Sequence, residues 1–272
     1  FTCAACHVNQ IEYKDKIMLI DGAPTLGNFV RFFDQAVASL NNTYSDEEKF
    51  TRFAKRVLGD EYSVSMASAL KVELKEAADA ASLRQLVNSV PDHYPKDFTS
   101  FGRLDAFTNI ENAGAAFALG MPTNGNPAIA PVSYPFLWGT HQSDVVQWNG
   151  SAPNKPRLLG PMVRNIGQVV GVFGGLTITP KEDGDVLAHH YESTIDFEGL
   201  GILEGLVKNL RSPRWDDPNA NLPAPDSDKV AVGKVLYAEH CASCHQVIAP
   251  EDEGNFYDAV MTPVDGELMT DP

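Results

Sequence analysis

The sequence predicts a mainly α fold with long irregular loops. Apolar residues recur at helical spacing in several segments, whereas segments with strand-like alternation are few. Between residues 91 and 180 the chain is instead rich in Gly, Pro and Asn, which is typical of irregular, functional structure. The 272 residues, 43% of them apolar, suffice for a packed core and one or two domains.

The first predicted helices lie in the N-terminal third of the chain. Residues 28–40 carry apolar side chains at helical spacing. Ser45 and Glu48 form a capping box that predicts a second helix, which ends near Leu58 because Gly59 follows. A longer, alanine-rich helix is predicted over residues 63–90, where Pro91 ends it.

Two further helices and two connecting segments are predicted around these elements. Residues 198–210 and residues 228–240 have helical patterns. Residues 8–26 are predicted to form a loop, with Asp21-Gly22 and Pro24 as turn signals. Residues 213–228 are interpreted as a linker because they contain several prolines and aspartates.

All four cysteines belong to two copies of one motif, Cys-x-x-Cys-His. The copies are Cys3, Cys6 and His7, and Cys241, Cys244 and His245. This motif is the attachment sequence of c-type haem, in which the thiols add to the vinyl groups of the porphyrin and the histidine reaches the iron. The sequence therefore predicts a cytochrome-c-like di-haem architecture with two covalently bound haem c groups, whose iron ligands are His7 and His245.

Other chemistries of paired cysteines fit the two motifs less well. A thioredoxin-like Cys-x-x-Cys pair needs neither the trailing histidine nor a second copy. Two Cys-x-x-Cys arms can form a zinc site, but zinc gives no reason for a histidine after both arms. Structural disulfides rarely bridge such close cysteines in a chain of this size.

Composition limits the setting and the partners of the chain. A net charge of −15 disfavours nucleic acid and anionic lipid, and it favours a basic redox partner protein. No run of 18 apolar residues exists, so no membrane span is predicted. Covalent haem attachment is an exported-side process in bacteria, which predicts a periplasmic or secreted protein.

The motifs predict the domain organisation. Residues 1–212 are expected to form an N-terminal haem domain that is incomplete at its start, since no helix precedes Cys3. Residues 213–228 form the linker, and residues 229–272 form the start of a second cytochrome c domain. Because the second haem is not fully wrapped by so few residues, the sequence is expected to be part of a longer protein.

Several short sequence elements carry a resemblance to a known superfamily. In chain order they are Ala130-Pro131-Val132, Phe136-Leu137-Trp138, Gln147-Trp148-Asn149-Gly150, Gly160-Pro161 and Arg164-Asn165. Their order is similar to that of the bacterial di-haem cytochrome c peroxidase superfamily. Further phrases resemble its di-haem rubber oxygenase branch, namely residues 102–107, residues 130–138, Arg211-Ser212-Pro213 and Met261-Thr262-Pro263.

The resemblance implies roles for individual residues. The first haem would be the reactive centre and the second would relay electrons, with Trp148 between them. Phe136 and Trp138 would pack the first haem pocket, and Phe173 would lie on the distal side of that haem. Such a distal side is expected to be open or closed only by apolar side chains.

Two departures from the peroxidase pattern bear on the reaction. The peroxidases carry an acid/base glutamate after the Gly-Pro element, whereas residues 164–174 of this chain offer Gln168 and no carboxylate. Asn149 also replaces the usual aspartate. The other five histidines of the chain are expected to lie on loops or on the surface. Met261 and Met269 are expected to pack against other side chains and not to bind iron.

The leading hypothesis is therefore an exported di-haem c-type oxidoreductase that carries out oxygen-dependent chemistry on an apolar substrate. One alternative is a di-haem cytochrome c peroxidase that uses external electrons. The other alternative is a non-enzymatic electron-transfer cytochrome in which both haems have two axial ligands.

Overall fold

The computed structural model of the chain describes residues 2–95, 97–156, 159–180, 189–215, 222–248 and 257–259. About 52% of the residues it describes are helical, which confirms the mainly α class. The α-helices are α1 (Ala4–His7), α2 (Phe29–Ser45), α3 (Glu47–Leu58), α4 (Val64–Asn88), α5 (Ala106–Asn112), α6 (Leu159–Gly171), α7 (Phe197–Asn209) and α8 (Ser227–His240).

In the described part of the chain, the strands form four two-stranded antiparallel ladders, each made of two strands consecutive in sequence. Their ranges are β1 (Val8–Tyr13), β2 (Lys16–Asp21), β3 (Arg103–Leu104), β4 (Val132–Ser133), β5 (Val145–Val146), β6 (Ala152–Pro153), β7 (Leu176–Pro180) and β8 (His189–Ser193). Among the described residues, no helix is both long enough and apolar enough to cross a membrane.

The chain divides into two compact units that alternate along the sequence. Unit 1 contains Leu26–Tyr134 and Gly167–Ile195, and unit 2 contains Thr2–Thr25, Pro135–Ile166 and the chain from Asp196 onward. Unit 2 thus carries both Cys-x-x-Cys-His motifs. The division of the chain at residues 212 and 229 into haem domains stays a prediction.

Unit 1 is built on α2, α3 and α4, which pack against one another. The buried side chains of their core are Phe50, Ala54, Ala67 and Leu74. Small alanines among them let the helix backbones approach closely, and burial of the apolar side chains supplies the main stabilisation.

The helix starts of unit 1 follow the sequence signals with one exception. Asn28 caps α2 and Ser63 caps α4, as the predicted boundaries require. The prediction that Ser45 caps α3 is wrong. The side chain of Asp46 caps the helix instead, because its Oδ1 accepts from the backbone amides of Glu48 and Lys49, both at 3.0 Å. Ser45 instead ends α2, where its hydroxyl donates to the carbonyl of Asn41.

A buried carboxylate organises the irregular part of unit 1. Asp105 is only 1% exposed and caps α5 by accepting from the amide of Thr108. Its other oxygen accepts from the amide of Ala130 at 2.9 Å. Asp105 therefore joins the start of α5 to a segment 25 residues later, next to the β3–β4 ladder.

Several elements differ from the sequence prediction, and one of them is α2, which continues past its predicted end at Leu40 to Ser45. The predicted loop over residues 8–26 is largely the β1–β2 hairpin, whose two-residue turn places Lys14 and Asp15 at φ 47° and 61°. Such turns normally use Asn-Gly or Asp-Gly, so Lys-Asp gave no hairpin signal. The expected turn at Gly22 is present, with φ 81°.

Another difference is that α5 forms inside the stretch predicted to be irregular, and so does the 13-residue helix α6. The sequence of α6 did not indicate a helix, because it contains Pro161 and several glycines, and glycine is a poor helix former. Two of these glycines, Gly160 and Gly171, are required by packing. A Cβ on Gly171 would lie 2.4 Å from Ile110, and a Cβ on Gly160 would lie 2.4 Å from the backbone of Asn154. By contrast, α7 and α8 begin and end within one residue of their predicted bounds.

Candidate functional site

The two Cys-x-x-Cys-His motifs adopt the same backbone turn. In the first copy, the amides of Cys6 and His7 donate to the carbonyl of Cys3 at 3.1 and 3.0 Å. In the second copy, the two corresponding amides donate to the carbonyl of Cys241 at 3.1 and 2.8 Å. Each copy therefore carries its two thiols and its imidazole on one short turn, in which residues three and four apart are neighbours. All four thiols are free.

The ring of His7 is held by a backbone carbonyl from the middle of the chain. Its Nδ1 lies 2.9 Å from the carbonyl oxygen of Pro135. A carbonyl only accepts, so Nδ1 carries the proton and Nε2 keeps its lone pair. Burial lowers the pKa of His7, and the hydrogen bond to Pro135 raises it by less, which leaves the ring neutral at neutral pH.

This state of His7 is the one that a metal-binding histidine uses. A ligating imidazole binds through one nitrogen while the other donates to a carbonyl or carboxylate, which fixes the orientation of the ring. The backbone around His7 is also fixed, because its carbonyl accepts from the amide of Gly22 at 2.8 Å and the neighbouring carbonyl of Cys6 accepts from the amide of Thr25.

The thiols of the first motif are close enough to affect each other. Burial raises the pKa of the Cys6 thiol, and the nearby Cys3 thiolate raises it further. Beside them, Phe136 is 57% exposed and stacks on Trp138, with ring centroids 5.7 Å apart. The first motif thus combines two neighbouring thiols, an oriented imidazole and an uncovered aromatic side chain within unit 2.

The second motif follows α8 directly. The carbonyl of Tyr237 accepts from the amides of Cys241 and Ala242, both at 2.9 Å. The hydroxyl of Tyr237 then donates to the carbonyl of His245 at 2.6 Å, so one tyrosine holds both ends of the turn. No residue of α8 is buried, although the helix carries many apolar side chains, and His245 is exposed.

The remaining predicted site residues fall in both units. Trp148 lies in the turn between β5 and β6 in unit 2 and is 48% exposed. Gln168 and Phe173 belong to unit 1. Gln168 is exposed near the end of α6, and its carbonyl accepts from the amide of Val172. Predictions that concern Met261 and Met269 lie outside the described residues.

Phe173 has an unusual backbone conformation. Its φ is 79°, a left-handed value that favours glycine, and two glycines follow it. Its ring stacks on Phe33 at 5.3 Å and lies under the guanidinium of Arg84 at 5.0 Å. These contacts oppose the cost of the conformation, which is about 1 kcal/mol.

A buried polar network in unit 2 was not predicted from the sequence. Arg164 is 7% exposed and binds both Asn154, at 3.0 Å, and the carboxylate of Glu204. The same carboxylate oxygen accepts from Asn165 at 2.9 Å, and Asn154 donates to the carbonyls of Thr140 and Ser143. The network fixes α6 and α7 to the segment that leads to Trp148.

Among the described residues, no cluster of three or more His, Cys, Asp or Glu side chains is close enough together to hold a metal ion.

Comparison with known proteins gives one relative over most of the chain. The chain is 31% identical over 252 residues to Uncharacterized protein y4iJ of Sinorhizobium fredii, a match that covers 90% of this chain and 40% of the relative. The chain thus spans about 40% of the length of that relative. No protein-family model matches the chain, and no solved structure matches it.

Replacement of Arg164 by methionine is expected to lower the free energy of unfolding by about 3 kcal/mol, because Glu204 would keep a largely buried charge without its partner. The double variant Arg164→Met/Glu204→Leu should recover part of this loss. Lys155→Met, which breaks the exposed pair with Asp258, should cost less than about 1 kcal/mol. Urea denaturation of the four proteins measures the differences, and equal losses from Arg164→Met and Lys155→Met would contradict the buried role.

Proposed function

We propose that this chain is part of an exported di-haem c-type cytochrome that acts as an oxidoreductase. The observation that carries the proposal is the hydrogen bond from His7 Nδ1 to the carbonyl of Pro135, made within a Cys-x-x-Cys-His turn. It gives the histidine of the motif the tautomer and the fixed orientation that an iron ligand needs. The identical turn in the second motif supports the same role for His245.

The residues of the first motif fit a covalently attached porphyrin. The thiols of Cys3 and Cys6 are free, adjacent and on the same turn as His7, so two thioether bonds and one axial ligand come from five consecutive residues. The exposed ring of Phe136 beside this turn is apolar surface that a porphyrin would cover. The second motif offers the same ligand set beside the uncovered apolar side chains of α8.

When bound, haem supplies one-electron exchange and activation of a small oxidant. The chain's own residues would hold and orient each group: the histidine of each motif, His7 or His245, would bind the iron, and the two thiols of that motif would attach the porphyrin covalently. Resemblance to the di-haem peroxidase superfamily supports a reactive first haem and an electron-relay second haem. The net charge of −15 supports a basic redox partner protein.

Within this superfamily we favour oxygen-dependent chemistry on an apolar substrate over peroxide cleavage. Residues 164–174, which correspond to the peroxidase segment that carries a glutamate, contain Gln168 and no carboxylate. Cleavage of peroxide benefits from a positioned proton donor and acceptor, and an amide is a poor one. Phe173 lies in the same stretch of sequence, and its place on the distal side of the first haem is what the resemblance implies.

The attachment of two haems is tested by counting them. The double variant Cys3→Ser/Cys6→Ser and the double variant Cys241→Ser/Cys244→Ser should each lower the covalent haem content from two per chain to one, because each removes one pair of thioether bonds. A pyridine haemochrome assay per mole of protein gives the ratio. A wild-type value near one, or zinc in a metal analysis, refutes the proposal.

Gln168→Glu tests the choice between oxygenase and peroxidase. The substitution keeps the shape of the side chain and adds the carboxylate, so peroxide-dependent oxidation of a reduced donor should rise on the order of 10²-fold. Gln35→Glu adds the same charge at an exposed position of α2 and serves as the control. Equal rates in the two variants would show that Gln168 does not face the reacting oxidant.

Trp148 is the residue through which we expect the two haems to exchange electrons. Its indole is half exposed in the unit that holds both motifs, so Trp148→Ala should cost no more than about 1 kcal/mol of stability. The rate of electron exchange between the haems should nevertheless fall clearly, as measured by rapid reduction of one haem and spectroscopic detection of the other. An unchanged rate would make Trp148 an ordinary packing residue.

A further inference from the structure

We propose that Trp138 is a positioning residue that holds the turn carrying His7 and thereby sets the reduction potential of the first haem. The inference rests on the proposed function, since it concerns the iron ligand of that haem. The juxtaposition behind it is the packing of the Trp138 indole on the Asp21-Gly22 turn, which is hydrogen-bonded to His7.

His7 is fixed at two of its atoms. Its ring Nδ1 donates to the carbonyl of Pro135, and its backbone carbonyl accepts from the amide of Gly22 at 2.8 Å. Orientation of the imidazole therefore depends on two segments that are distant in sequence, the turn at Gly22 and the segment that begins at Pro135.

Trp138 joins these two segments. Its indole Nε1 donates to the carbonyl of Asp21 at 2.9 Å, and the amide of the preceding Leu137 donates to the carbonyl of Gly22, also at 2.9 Å. Pro135, Leu137 and Trp138 thus supply, within four residues, the acceptor for the His7 ring and two donors to the turn that holds the His7 carbonyl.

The Trp138 indole packs closely against the turn at Gly22. A Cβ on Gly22 would lie 2.6 Å from Nε1 of Trp138 and 2.6 Å from a methyl group of Leu210, and the φ of Gly22 is 81°. The indole also stacks on Phe136 at an interplanar angle of 20°. A shift of the indole must therefore move the turn, the Pro135 carbonyl or both.

Such a shift changes the electron donation of His7. The hydrogen bond from Nδ1 to a carbonyl raises the basicity of the ligating nitrogen, which favours the oxidised iron and lowers the reduction potential. If the Pro135 carbonyl moves away from Nδ1, the bond weakens and the potential rises. Trp138 thus acts on the iron ligand through the backbone and does not itself touch the reacting atoms.

The test is Trp138→Phe in the haem-loaded protein, followed by spectroelectrochemical titration of both haems. The variant keeps an aromatic ring against Phe136 and removes the N–H that binds Asp21. The potential of the first haem should rise while that of the second stays unchanged, and the haem content should remain two per chain. His7→Ala, which alters only the spectrum of the first haem, identifies which titration step belongs to it.

Trp215→Phe is the matched control, because its indole N–H also donates to a backbone carbonyl, that of Pro223 at 2.7 Å, and takes no part in the His7 network. Gly22→Ala is a second variant for the same titration. Its Cβ would push the Trp138 indole away from the turn, so the reduction potential of the first haem should rise here as well. An unchanged first potential in both Trp138→Phe and Gly22→Ala, or an equal shift in Trp215→Phe, overturns the inference. A wild-type protein without two haems instead refutes the proposed function.

Discussion

The hydrogen bond between the ring of His7 and the carbonyl of Pro135 is the contact on which the candidate site depends. It joins two parts of the chain that are 128 residues apart, and it determines which nitrogen of the imidazole is available for a ligand. Around it, the Gly22 turn, the Trp138 indole and the buried Arg164–Glu204 pair fix the segments that deliver the carbonyl. The conformation of the five-residue motif is thereby fixed by residues from the middle and the C-terminal third of the sequence.

Local signals in the sequence predicted most of the helices. The boundaries of α4, α7 and α8 and the start of α2 follow from apolar periodicity and from side chains such as Asn28 and Ser63 that cap the first turn. Predictions failed where two local signals competed or where packing overrode propensity. Asp46 replaced Ser45 as the cap of α3 because both are good caps and only the structure shows which residue leaves the helix. The glycines of α6 weaken its helical pattern and are explained only by its close neighbours.

Of the candidate site, only the two Cys-x-x-Cys-His motifs were predictable. The cysteines and histidines of the motifs are adjacent in sequence, so their common turn follows from spacing alone. The acceptor for His7 could not be predicted, because any backbone carbonyl can accept and the sequence does not indicate which one approaches. The polar network of Arg164, Glu204 and Asn154 has no periodic signature either, since its members come from three separate segments and each pairs with only a few atoms.

The junction between α1 and β1 leaves no spacer after the first motif. His7 ends the helix and Val8 begins the strand, so the imidazole and the hairpin share one continuous piece of backbone. The register that pairs Val8 with Asp21 also brings Gly22 next to His7, where the Gly22 amide donates to the His7 carbonyl. Transplanting this motif into another scaffold would therefore require the hairpin, its Gly22 turn and the segment that carries the Pro135 carbonyl, because the five-residue motif alone does not orient the His7 ring.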